Sequence, residues 1–122
     1  MTPIILPWFD RSLSPNSRVH WSQRAKAAKQ ARKDAHYATL AAGYNKQTFA
    51  DYGGKIHLWI EFYPKTRHRV DDDNCLSGIK SHGDGIADAL GVNDARFVRH
   101  PIVMDETGGK IVIRLTRDMK VG

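Results

Sequence analysis

Cysteine is nearly absent: Cys75 is the one in 122 residues. An internal disulfide needs two and a structural zinc module needs several, so both are excluded and a reducing compartment is expected. Long apolar runs are missing too. No stretch approaches the roughly eighteen apolar residues of a membrane span. The start, Met1-Thr2-Pro3-Ile4-Ile5-Leu6-Pro7, lacks the charged-then-apolar layout of a secretion signal, which predicts a cytoplasmic protein. There is no internal repeat and no low-complexity tract, and the histidines at 20, 36, 57, 68, 82 and 100 lack the paired spacing of a zinc site. Negative charge is also in short supply. Nineteen Lys and Arg face thirteen Asp and Glu, giving a formal charge of +6 and a pI near 9.7. Such a balance favours polyanionic partners, nucleic acid first.

An apolar share of 41% with 26% charged residues is ordinary for a globular chain, and the length suits one compact domain over 1–122. Ile4-Ile5-Leu6 reads as a first strand that Pro7 confines to an edge or bulge. A polar loop, Ser12 to Ser17, follows. Ser22 is placed to cap a helix running to about Ala42, with Trp21 packing on its first turn as a staple rather than serving as a platform for bases. Ala28, Ala31, Ala35, Ala38 and Ala42 form a flat face for close packing, and Gly43 ends the helix. Lys55 to Tyr63 alternates as a strand, with Ile56, Leu58, Ile60 and Phe62 inward and Glu61 on the other side, an exposed residue rather than a fourth acidic ligand. Leu76, Ile79, Gly83, Ile86, Ala87 and Leu90 recur at helical spacing, although Gly78, Gly83 and Gly85 predict a kink or two shorter helices. Arg96 to Met104 and Lys110 to Thr116 flank a loop with paired glycines, the pattern of an antiparallel hairpin. Residues from Arg117 onward read as a polar tail. The expected fold is α+β, in the order βαβαββ: a mixed sheet with two helices packed on it.

Within Lys65 to Asp94 the charge reverses abruptly. Lys65-Thr66-Arg67-His68-Arg69 runs through Val70 into Asp71-Asp72-Asp73-Asn74. Adjacent carboxylates repel, and the repulsion is relieved by solvent, a helix N-terminus or a cation. If the acids continue as extended chain, Asp71 and Asp73 share a side and Asp72 faces away as a cap or solvent-exposed residue. With Asp94 returning to that side, the three would offer the hard oxygen ligands that suit Mg2+, or Mn2+ in its place. Such an ion activates water for phosphodiester hydrolysis. Lys80 follows on the next helix, either as an electrostatic stabiliser of the scissile phosphate or as a partner of Asp84. Asp84 and Asp88 rank below Asp94 as ligands. Phosphate contacts are expected from Arg18, from the helix stripe Lys26, Lys29 and Lys33 with Arg32 beside it, and from Lys65, Arg67, His68 and Arg69. A different class remains open: a basic binding module whose aspartates only cap a helix.

Leu6-Pro7-Trp8, Ser14-Pro15-Asn16 followed by Arg18, the basic helix, and Asp71-x-Asp73-Asn74 followed by Gly85-Ile86-Ala87-Asp88-Ala89-Leu90-Gly91-Val92-Asn93-Asp94 together resemble the RusA-like Holliday junction resolvases. These are small endodeoxyribonucleases common in phages and prophages, and the likeness covers most of the chain. It implies that Asp71, Asp73 and Asp94 are the metal-binding catalytic aspartates and that Lys80 is the basic residue of the following helix. It also implies a homodimer that makes paired nicks in a four-way DNA junction during recombination and repair. Beside it stands a nuclease of the same chemistry acting on another branched DNA or on RNA. Some members carry the helix lysine one turn earlier, where this chain has Ser77, and consecutive prolines after the tryptophan, where it has Phe9 and Asp10.

Overall fold

The computed structural model describes residues 2–67 and 71–118. The order is β1 (Ile4–Pro7), α1 (Trp21–Ala41), β2 (Ile56–Tyr63), α2 (Asp72–Gly78), α3 (Lys80–Leu90), β3 (Phe97–Val103) and β4 (Lys110–Arg117), with 3-10 turns at Arg11–Leu13 and Asp94–Arg96. The expected α+β domain with a mixed sheet forms, and its second helix is two, parted at Ile79. Among the described residues no helix is long and apolar enough to cross a membrane.

The strands lie in the order β1-β4-β2-β3. The cleanest alternation takes an interior place: Ile56, Leu58, Ile60 and Phe62 of β2 are all fully buried. Burial of each such side chain contributes about 1.5–3 kcal/mol. β3 runs parallel to β2, a pairing that needs a crossover, which α2 and α3 supply. β4 runs antiparallel to both β2 and β1. The C-terminal hairpin therefore has antiparallel arms with β2 lying between them. Pro101 supplies a reason, because a residue without an N–H is tolerated on an edge strand, and β3 is that edge.

Helices α1 and α3 pack on one face of the sheet. Ala35 of α1 and Ala42 just past its end, Ile86 and Leu90 of α3, and Cys75 of α2 meet Ile4, Leu6, Ile111 and Ile113 in the core. Gly85 explains how close the helices come: a Cβ there would lie 2.1 Å from the carbonyl oxygen of Arg32, so only glycine fits. Arg32 then fastens the pair, donating from Nε and a terminal nitrogen to Asp88 at 2.6 and 2.9 Å. This removes Arg32 from the cationic stripe beside which it was expected.

Three local expectations are corrected. His20, not Ser22, caps α1: its backbone is extended and its Nδ1 accepts the Ser22 N–H at 3.2 Å. Trp21 thus occupies the first helical position, 74% exposed and beside the His20 ring, rather than packed as a staple. Arg117 ends β4 instead of starting a tail, and Asp118 follows it into hydrogen bonds with the Lys55 N–H and the Tyr52 hydroxyl.

Candidate functional site

Asp71 follows the end of β2 and caps α2, its Oδ1 accepting the Asp73 N–H at 2.8 Å. Asp72 and Asp73 form the first turn, where the helix dipole favours anions. This overturns the extended-chain alternation that turned Asp72 away. Once Asp71 caps, the chain enters the helix at Asp72, and all three carboxylates crowd together. A ligand oxygen from each lies within 4.8 Å of the others, and all three residues are exposed. Beneath them the Cys75 thiol is pushed up to about 11, first by burial and then by the charges of Asp72 and Asp71, so it stays protonated and unreactive at neutral pH.

Asp94 is not brought to this cluster. It opens the 3-10 turn after α3, where the next residues bond to the chain just ahead of β2: Lys55 Nζ donates to the Ala95 carbonyl, and Arg96 donates to the carbonyls of Tyr52 and Gly54. Asp71 lies beyond the other end of β2. The eleven residues of α3, about 16 Å of helix, run between the two sites. The group of three carboxylates among the described residues contains Asp71, Asp72 and Asp73 without Asp94. Asp94 instead joins Asp88 and Asp84 as an acidic row whose field raises the Arg32 pKa, the Asp88 hydrogen bond contributing most. Asp88 is held below the usual carboxylate range, chiefly by that bond. Lys80 is exposed at the first position of α3, and among the described residues it has no ion pair, with Asp84 or otherwise.

The expected phosphate contacts are open to solvent. Lys26, Lys29 and Lys33 are exposed along α1, and Arg18, Lys65 and Arg67 are exposed in loops. His68 and Arg69 lie outside the described residues. Glu61, considered as a fourth acid, is half-buried on the open face of the sheet and is engaged by Arg114 and the Tyr63 hydroxyl.

Two groupings escaped sequence reasoning. On the open sheet face His57 Nδ1 lies 2.7 Å from His100 Nε2 and His57 Nε2 lies 2.6 Å from Asp118 Oδ1, while Trp59 stacks on His100 with centroids 4.0 Å apart. The parallel register, which sets Trp59 opposite His100, also brings together His57 and His100, 43 positions apart. Only the shared outward phase of the two strands hinted at it. The second grouping surrounds His82, buried on α3 beside Asp34 and Gln30 of α1 and the Trp8-Phe9 pair. Its members are distant in sequence and carry no motif.

Compared with known proteins, the chain is 48% identical over 118 residues to an uncharacterized protein of Xylella fastidiosa strain Temecula1. The match covers 95% of this chain and 76% of that relative. The chain belongs to that protein's family. No family model matches it.

Proposed function

We propose that the chain is a magnesium-dependent, structure-selective DNA endonuclease of the cytoplasm. Its substrate is branched DNA, the four-way junction first, cut by a homodimer through phosphodiester hydrolysis. The observation that carries this reading is the exposed cluster of Asp71, Asp72 and Asp73 following directly on a cationic segment in a chain of charge +6. The donor set fits the metal. It is all hard carboxylate oxygen, open to water, and short of a full octahedron, which suits an ion that keeps several waters and takes substrate oxygens.

Asp71 and Asp73 are the assigned ligands, and within one protomer the nearest third carboxylate is Asp72 rather than Asp94. When bound, Mg2+ or Mn2+ supplies an activated water and charge neutralisation at the phosphate. Lys65 and Arg67, just upstream, attract the DNA backbone, and Arg18, Lys26, Lys29 and Lys33 extend the cationic surface over the loop and α1. Lys80 offers its ammonium to a developing negative charge. A twofold dimer suits the reaction, because the symmetry of the protein then matches that of the junction.

The Asp71 cap favours a second reading, in which the chain is a binding module and its aspartates serve only the helix. The test for both is cleavage of junction, flap, duplex and RNA substrates with and without magnesium. Junction nicking that needs the metal supports the enzyme. Junction binding without cleavage in Mg2+ or Mn2+ supports the module, and preferential cleavage of a flap or RNA replaces the substrate.

A further inference from the structure

Between the end of β1 and the start of α1 the chain folds over the α1–α3 pair and leaves a cavity of about 450 Å3. That lies within the range of roughly 300–1,000 Å3 usual for small-ligand sites. Trp8 and Phe9 form part of its wall, and Gln30, Asp34 and His82 another part. Arg11 and Lys65 border both this cavity and a neighbouring groove of about 850 Å3 that also includes Arg18.

The lining has the chemistry of a binding site. His82 is 4% exposed, yet its side chain makes no hydrogen bond among the described residues, and its enclosed Nδ1 has no partner. A buried polar group in that condition normally has a reason. Burial lowers its pKa to about 4, the charge of Asp34 opposing the shift only in part, so the ring is neutral at pH 7, one nitrogen donating and the other accepting. Gln30 donates to Asp34 at 2.8 Å, which holds the amide in place and leaves the carboxylate further lone pairs. Trp8 and Phe9 are stacked with centroids 4.9 Å apart, and Phe62 meets Trp8 edge-on at 6.0 Å, so the aromatic wall is preorganised. The groove beside it contains Arg11, Arg18 and Lys65, with no carboxylate among the described residues that line it.

We propose that this cavity takes one unpaired nucleobase of a bound strand, with the base against Trp8 and Phe9 and its phosphates along Arg11, Arg18 and Lys65. The proposal rests on the DNA-binding reading above and adds a site for a base to it. Aromatic side chains stack any base, and the cationic groove tracks the backbone. A branch point supplies bases that are already unstacked, which lowers the cost of drawing one into a pocket. Asp34 can only accept hydrogen bonds, so it favours the base edge richest in donors: guanine, with N1–H and an amino group, over thymine, with N3–H alone.

The experiment titrates the protein with dAMP, dCMP, dGMP and dTMP, following the His82 ring by NMR and affinity by calorimetry. A four-way junction is compared with the same junction carrying abasic nucleotides at its branch point. All four nucleotides should shift the His82 resonances, and dGMP should bind more tightly than dTMP. The abasic junction and the exposed Gln30→Ala variant should each bind about tenfold more weakly, the size expected for losing one stacked or hydrogen-bonded base. Absence of any His82 shift, or equal affinity for intact and abasic junctions, overturns the pocket. If magnesium-dependent junction cleavage persists through such a failure, the nuclease reading stands without the pocket. Mononucleotide binding by a protein that cuts no junction keeps the pocket and overturns the nuclease.

Discussion

Replacing Asp71 by asparagine and by alanine separates the two things its carboxylate does. As a cap it accepts the Asp73 N–H at 2.8 Å. Asparagine caps as well as aspartate, whereas alanine costs about 1 kcal/mol. For a chain of 122 residues that cost lowers the melting temperature by roughly 3–5 °C. Asparagine also removes one of three crowded negative charges, which offsets its weaker interaction with the helix dipole. As a ligand, however, the amide is neutral and poor for magnesium. With 10 mM magnesium and a Kd on the order of 1 mM, binding stabilises the native state by about 1.4 kcal/mol, again roughly 5 °C. Melting each protein with and without magnesium therefore gives distinct patterns. Wild type rises in magnesium, Asp71→Asn starts level with wild type and loses most of the rise, and Asp71→Ala starts lower and also loses it. An Asp71→Asn protein that keeps the full rise refutes the metal role. An Asp71→Ala protein that starts level with wild type refutes the cap.

Changing Lys26, Lys29 and Lys33 together to alanine should weaken DNA binding without regard to sequence. It should also flatten the dependence of log affinity on log salt by about 0.9 for each phosphate no longer neutralised, measured by anisotropy over a salt series. Gly85→Ala gains up to about 1 kcal/mol in helix propensity, but it meets the Arg32 carbonyl, a backbone atom that moves only by parting the helices. The expected net result is a loss of about 1–3 kcal/mol in denaturant unfolding. His82 is held neutral in the fold, its pKa lowered from 6.5 to about 4, so the unfolded chain binds the proton more readily between those values. Its contribution is present above pH 6.5 and is lost as pH falls toward 4, amounting to about 3 kcal/mol at most. The trend is checked with His82→Phe, whose stability between pH 6.5 and 4 should fall less steeply than that of wild type.

Much of the architecture was legible because it is periodic. Ile56, Leu58, Ile60 and Phe62 carry their burial in plain alternation, and the alanines of α1 mark a packing face. What stayed hidden depended on choices between local chemistries of similar strength. Histidine at position 20 and serine at 22 can both accept a hydrogen bond at a helix start, and the histidine won. An aspartate triplet fits a strand end or a helix start, and the Asp71 cap decided for the helix, which changed which carboxylates meet. The break at Ile79 was foreshadowed by Gly78, yet the purpose of Gly85 was invisible without the Arg32 carbonyl that crosses it. Asp94 shows the limit of motif spacing: twenty-odd residues downstream of Asp71 it opens the 3-10 turn beyond α3, at the other end of β2. The pocket around His82 needed three elements from separate parts of the chain, so no window could show it.

Hydrolysis of DNA by a metal held on Asp71 and Asp73 is tested most directly by single-turnover cleavage of a labelled four-way junction, comparing wild type with Asp73→Asn in magnesium and following binding in calcium. The expected result is paired nicking by wild type that EDTA stops, and an Asp73→Asn protein that binds the junction equally well and fails to cut it. Undiminished cleavage by Asp73→Asn, or cleavage that persists in EDTA, would contradict the account.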